Sequence, residues 1–254
     1  MNNEGSDLEL KSSCKDVFQR CIKCGACMQD RETGLPICPT GEVYGFESYY
    51  LRGKVEIVRG LMEGRFDSNK SSKLTHILYS CTDCRACVEQ CYLLSGVDFL
   101  KCVRLARASL TEKGTIPSKV SEFLEHIYRI GNPYGYDQEE RAKFLEGLGV
   151  DEFDESQEYL YYVDGIEVYD ALARNTIAAL VGLLQATKIS FGVIYRGIEC
   201  TGNEALSLGE KSLFDYLKQR NLETFRKLKV RKILTTSPHT YHALAKLYGL
   251  DNIK

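Results

Sequence analysis

Eleven cysteines, ten of them between Cys14 and Cys102, constrain this chain more than any other feature. Only Cys200 lies beyond that stretch. Spread through a short secreted chain, such cysteines would form a disulfide framework; bunched in a longer chain kept in a reducing compartment, they act as metal ligands. Met1 to Leu10 is polar and acidic, with no basic stretch leading into an apolar one, so no secretory signal is expected. The longest apolar run, Ile177 to Leu184, is too short to cross a bilayer. The expectation is a cytoplasmic chain with no direct membrane span, held at a membrane only peripherally, through a partner. A formal net charge of −2 argues against nucleic acid as a partner. Hydrophobic residues at 44% and charged residues at 27% of the 254 suit folded domains rather than disorder.

The spacing of the cysteines names the metal. One run is Cys21-x2-Cys24-x2-Cys27 followed by Cys38-Pro39; the other is Cys81-x2-Cys84-x2-Cys87-x3-Cys91. Two-residue gaps let three thiolates wrap one corner of a cubane from a single tight loop, and iron favours such soft ligands. Gly25 lets the first loop turn close to its cluster. In two-cluster ferredoxins the fourth cysteine of each run ligates the other cluster. Applied here, cluster 1 takes Cys21, Cys24, Cys27 and Cys91, and cluster 2 takes Cys81, Cys84, Cys87 and Cys38. The expected cofactors are therefore two [4Fe-4S] clusters. CxxC pairs also hold structural zinc, but triplets with a distant fourth cysteine fit cubanes better. Two departures stand out: ten residues separate Cys27 from Cys38, and Tyr92 replaces the usual proline after Cys91. Cys14 and Cys102 fall outside the count of eight ligands and read as buried thiols.

Hydrophobic periodicity organises the rest. Helices are expected over 55–62, 73–79, 97–110, 118–130 and 138–148. Behind them, β-prone runs at 159–163, 189–195 and 232–236 alternate with helices at 169–186, 212–228 and 238–248, Ser237 capping the last and Pro238 at its first position. The fold class is α+β overall: a helical ferredoxin-like two-cluster domain over 1–150, then an α/β parallel-sheet domain of βαβαβα order over 151–254. The acidic stretch Asp151 to Glu155 marks the boundary.

These motifs resemble the iron–sulfur subunits of heterodisulfide reductase (C/D type), anaerobic glycerol-3-phosphate dehydrogenase, glycolate oxidase and the lactate-utilisation proteins. Beyond the cysteines, the resemblance rests on Arg52-Gly53-Lys54, Cys84-Arg85-Ala86-Cys87, Gly96-Val97-Asp98, Ala106-Arg107 and the turn Asn132-Pro133-Tyr134-Gly135. That family usually carries a second domain with a lone cysteine, a Cys-Cys-Gly motif and a Cys-Pro-x-Cys motif. In this chain Tyr162-Val163-Asp164-Gly165, Glu199-Cys200-Thr201-Gly202-Asn203 and Ser237-Pro238-His239-Thr240 are similar to those three sites, with only Cys200 left of five sulfurs. The resemblance thus implies a degenerate Cys-Cys-Gly domain and no non-cubane cluster.

The function that follows is an electron-transfer subunit of an oxidoreductase complex rather than a stand-alone enzyme. It relays electrons through two [4Fe-4S] clusters between a flavoprotein dehydrogenase or heterodisulfide-reductase-type subunit and another acceptor. The alternatives are a thiol–disulfide reductase using Cys200 and an assembly or docking subunit. No catalytic residue is assigned. Each degenerate motif follows a β-prone run, and in an open parallel sheet the carboxyl ends of strands face a common crevice. Asp164, Cys200, Thr201, Ser237, His239 and Thr240 are therefore expected to converge there as a candidate partner crevice. His76, His126 and the tyrosines at 159, 161 and 162 read as packing residues.

Overall fold

The computed structural model describes residues 14–67, 72–92, 98–198, 200–250 and 253. The polar N-terminal stretch, Gly96-Val97 and Glu199, on which parts of the sequence reading fell, lie outside the described residues. The described chain is helix-rich with one small parallel three-stranded sheet, an α+β arrangement. It divides into two compact units: the residues up to Val120 with Ser207–Glu210, and Ser121–Leu206 with the residues from Lys211 onward.

The first unit is helical. A helical run over 14–20 leads into the first cysteine loop. Then come α1 (Pro39–Tyr44), a 3-10 turn (Glu47–Tyr49), α2 (Leu51–Met62), α3 (Ser72–Tyr79), α4 (Ala86–Gln90) and α5 (Phe99–Glu112). Leu51, Val55 and Val58 recur at helical spacing on α2, as Phe99, Val103, Ala106 and Leu110 do on α5. Their buried stripes meet Ile77 and Leu78 of α3 in one core. Asp98 caps α5 through the Leu100 N–H. Gly53 admits no side chain, because a Cβ there would stand 2.2 Å from the Glu47 carbonyl oxygen.

Cys14 and Cys102 are both completely buried in this core, outside the ligand loops. They are not separate thiols. Their sulfurs are bonded, with Cα atoms 5.6 Å apart across a sequence separation of 88 residues. Nothing local signals a pairing between chain segments that distant.

The second unit holds α6 (Ser118–Ile130, from its fourth residue), α7 (Gln138–Gly147), β1 (Tyr159–Tyr161), α8 (Gly165–Tyr169), α9 (Ala171–Ala186), β2 (Phe191–Gly192), α10 (Asn203–Leu208, up to Leu206), α11 (Lys211–Lys227), β3 (Ile233–Leu234), α12 (Pro238–His242) and a π-helical turn (Ala243–Leu247). All strands are parallel, in the order β2-β1-β3, with Leu160 opposite both Gly192 and Ile233. The central strand is buried on both sides. Leu160 and Tyr162 pack with Phe214, Phe225 and Leu244, while Tyr161 and Val163 pack with Ile177, Val181 and Val193. The helix expected over 169–186 is α9, which starts at Ala171, while Tyr169 closes the preceding α8. Asp170 ends α8 and caps α9 through the N–H groups of Leu172 and Ala173. Strand β2 is shorter than its apolar run because Val193 pairs with the 151–153 segment, donating to the Asp151 carbonyl and accepting from the Phe153 N–H.

Candidate metal centre

The two cysteine loops share one backbone signature. In the first, Lys23 (φ 59°) and Gly25 (φ 82°) are left-handed; in the second, Asp83 (φ 57°) and Arg85 (φ 65°) occupy the same two places relative to their cysteines. A left-handed residue inside each two-residue gap turns the backbone sharply enough to bring three sulfurs to one side. It also turns successive N–H groups inward, the concavity that binds anions. Three of the four are not glycine, and each costs about 1 kcal/mol. Such strain persists only where the surroundings impose it, most often at functional sites.

The sulfurs gather in two groups. Cys38, Cys81, Cys84 and Cys87 line one cavity with Thr40, Lys54, Phe99 and Leu100. Burial pushes the Cys87 thiol up to about 12, and the neighbouring sulfurs of Cys81, Cys27, Cys38 and Cys84 add to it. Burial likewise pushes Cys27 up to about 11, and the sulfurs of Cys91 and Cys21 add to it. Cys24, at the mouth of the first loop, is exposed. Four sulfurs line one largely apolar cavity without closing about a single ion among the described residues; that donor set suits the several metals of a cubane, whose iron would supply the positive charge that lets buried thiols ionise.

Two buried cations stand at the second group, and neither is marked by the cysteine pattern. Lys54 on α2 is 2% exposed and lines the cavity. Its ammonium donates to Thr40 Oγ1 at 3.0 Å and to the Tyr49 carbonyl. Arg107 on α5 donates to the carbonyls of Leu78 (2.8 Å), Cys81 (2.6 Å) and Ser207 (2.8 Å), which fixes the entry of the second loop. Arg52 does the same for the first loop, donating to the Lys23 carbonyl at 3.3 Å. His76 bonds the hydroxyls of Tyr49 and Tyr44, and His126 the Pro133 carbonyl, so both serve packing.

In the second unit the residues after the three strands do meet, in a packed polar cluster rather than an open cleft. Thr240 donates to Asp164 Oδ2 at 2.6 Å, and Ser237 Oγ accepts from the Thr240 N–H. Asp164 also caps α8. Asn221 donates to the Cys200 carbonyl and Tyr248 to the Thr201 carbonyl. Gly131, beside the Asn132 turn, accepts from the Cys200 N–H. Asp164, Cys200, Thr201 and Thr240 are buried, and of the six only His239 reaches solvent substantially. Cys200 is 1% exposed, which bars a bulky disulfide substrate from its sulfur.

Sequence reasoning missed Glu204, one turn beyond Thr201. Both its carboxylate oxygens and Thr201 Oγ1 are buried without a hydrogen-bond partner, and His239 Nδ1 stands 3.9 Å from Glu204 Oε1. Burial, with Asp164 nearby, raises the Glu204 carboxyl from 4.5 to about 7. The folded state thus holds this proton more tightly than the unfolded chain. Its stabilising contribution is full below about pH 4.5 and is lost as pH rises through 7. Glu204→Gln, neutral at every pH, is expected to stabilise the full chain by about 1–3 kcal/mol at pH 8 and by little at pH 4.5. Thermal melts of both proteins across that range check it; a difference independent of pH would remove the assignment.

Comparisons with known proteins agree with the front of this picture. Residues 17–93 match the 4Fe-4S dicluster domain family. The chain is 29% identical to the "Probable membrane-anchored ferredoxin" of Chromohalobacter salexigens, over 91% of this chain and 37% of that protein. It is 31% identical to the EtfAB:quinone oxidoreductase of Syntrophomonas wolfei and 28% identical to the "Probable iron-sulfur-binding oxidoreductase FadF" of Bacillus subtilis, each over 67% of this chain and 25% of the relative. The chain thus spans between a quarter and somewhat more than a third of the length of these relatives. No solved structure matches it at a significant level. These matches support a 4Fe-4S electron-transfer protein of the iron–sulfur oxidoreductase kind. Among the described residues no helix is long and apolar enough to cross a membrane.

Proposed function

We propose that the chain carries electrons through two [4Fe-4S] clusters within an oxidoreductase assembly. The observation that carries this reading is the repeated left-handed pair in both cysteine loops, which gives the two triplets one geometry. Cys21, Cys24, Cys27 and Cys91 hold cluster 1, and Cys81, Cys84, Cys87 and Cys38 hold cluster 2. The grouping of sulfurs around Cys27 and around Cys87 supports the exchange of fourth ligands. When bound, each cluster supplies a one-electron couple. The protein's part is to ligate each cluster, wall it from water and, at cluster 2, set the potential through Lys54 and Arg107. The partners are a flavoprotein dehydrogenase or a heterodisulfide-reductase-type subunit; similarity to two oxidoreductases supports a redox partner. A partner held at the membrane accounts for peripheral localisation.

The second unit serves this assembly by docking. Asp164, Cys200, Thr201, Ser237, His239 and Thr240 form the polar centre behind the docking face, and His239 is its accessible member. Cys200 is the one sulfur in that centre, too few for a non-cubane cluster, so none is part of the proposal. Anaerobic purification followed by iron, sulfide and zinc analysis tests the central reading. About eight iron atoms per chain are expected. About four, or zinc in place of iron, would overturn it.

A further inference from the structure

The Cys14–Cys102 disulfide belongs to no part of the relay described so far, yet it lies in the same core. Both residues are 0% exposed. The buried cluster that contains them also contains Cys27 and Cys91, and Cys21 packs against it. Those are three of the four ligands assigned to cluster 1. The helical run over 14–20 passes directly into the first cysteine loop, with the Cys21 N–H donating to the Val17 carbonyl at 2.9 Å. The cross-link also brackets the whole ligand set: all eight candidate cysteines lie between its two ends in the chain.

We propose that the Cys14–Cys102 disulfide is a redox-active site, a two-electron acceptor filled through the clusters rather than by soluble thiols. This rests on the two-cluster reading. Thiol–disulfide exchange needs a thiolate to reach a sulfur atom directly. Here the folded chain leaves no surface for glutathione or a thioredoxin-type thiol to attack. Electron transfer needs no such contact, only a donor close by within the same packed core. The Sγ–Sγ bond takes up two electrons, which the clusters, when bound and reduced, would supply one each. Two protons from solvent complete the two thiols. Sulfur left unprotonated in an apolar core would be a buried charge of high cost, so proton uptake accompanies the cleavage. The product state no longer ties the 14–20 run covalently to α5. The device therefore couples a pair of one-electron carriers to a two-electron store, and frees the segment that enters the first cluster loop.

Counting electrons tests this. The full chain, loaded anaerobically and analysed for iron, is titrated with a photochemically reduced one-electron donor. The wild type is expected to take up about four electrons, two for the clusters and two for the disulfide, and the Cys14→Ala, Cys102→Ala double variant about two. In parallel, acid quench, alkylation and mass spectrometry follow the wild-type cysteines themselves, a readout independent of whether the double variant folds. Cys14 and Cys102 are expected to become alkylated roughly ten-fold faster or more in the iron-loaded chain than in the iron-free chain, with dithiothreitol opening neither while the chain is folded. An uptake of about two electrons by a wild type holding eight irons would overturn the proposal and leave the two-cluster reading intact. So would equal alkylation rates with and without iron, or rapid opening by dithiothreitol. A chain that takes up no iron overturns both.

Discussion

Cys38→Ser is expected to destroy the cluster bound by Cys81, Cys84 and Cys87, although Cys38 follows the other triplet in the chain. Iron content should fall from about eight toward about four atoms. The variant isolates ligation from folding. Cys38 is the N-cap of α1, its sulfur accepting from the Gly41 N–H at 3.4 Å. Serine is itself a preferred cap, so the helix keeps its first hydrogen bond while iron loses a soft ligand. The sulfur also sits beside Thr40 Oγ1 and the Tyr49 carbonyl, contacts a hydroxyl can keep. The mirror experiment is Cys91→Ser, which should remove the cluster of Cys21, Cys24 and Cys27. Mössbauer or EPR spectroscopy that resolves the two clusters distinguishes the outcomes. If Cys38→Ser empties the site of the first triplet instead, the exchange of fourth ligands is wrong and each run closes on its own cluster.

The two cysteine loops were legible because a two-residue gap has few ways to present its cysteines, and both loops share one pair of left-handed residues. The helices of the first unit were legible for a similar reason: the stripes of α2 and α5 repeat over enough turns to define a face. The contact of Asp164 with Thr240, beside Ser237, also followed from sequence order, since these residues come after β1 and β3 and the strands are parallel. What was not legible depends on distant or unusual placement. Cys14 and Cys102 are paired by tertiary packing across 88 residues. The left-handed Asp83 and Arg85 adopt a conformation their residue types disfavour, imposed by the loop. Glu204 reads as an ordinary helix residue until both its oxygens are found without partners. Lys54 and Arg107 stand in segments that carry the resemblance, but nothing in the sequence marks them as buried, because a charged residue on a helix is normally solvated.

Lys54→Met is expected to lower the potential of the cluster held by Cys38, Cys81, Cys84 and Cys87 and to leave the other nearly unchanged. A cubane with four thiolate ligands is negatively charged, and reduction adds one more negative charge. A nearby cation therefore stabilises the reduced form more than the oxidised form and raises the potential. Lys54 is suited to this because it is buried against the cavity wall, where water screens little. Its hydrogen bonds to Thr40 and the Tyr49 carbonyl hold the charge in place. A unit charge at roughly 8 Å with an effective dielectric constant of about 20 is worth about 2 kcal/mol. For a one-electron couple that is a downward shift on the order of 50–100 mV. Methionine keeps much of the side-chain volume, so the cavity wall survives. The Tyr49 carbonyl loses its ammonium partner, at a cost of about 1–3 kcal/mol in stability. Lys54→Arg keeps the charge and should restore most of the potential, which a purely structural role would not require. Redox titration followed by EPR reads each cluster separately. A Lys54→Met chain with both potentials unchanged, or with both lowered equally, would mean that this ammonium does not set the difference between the two ends of the relay.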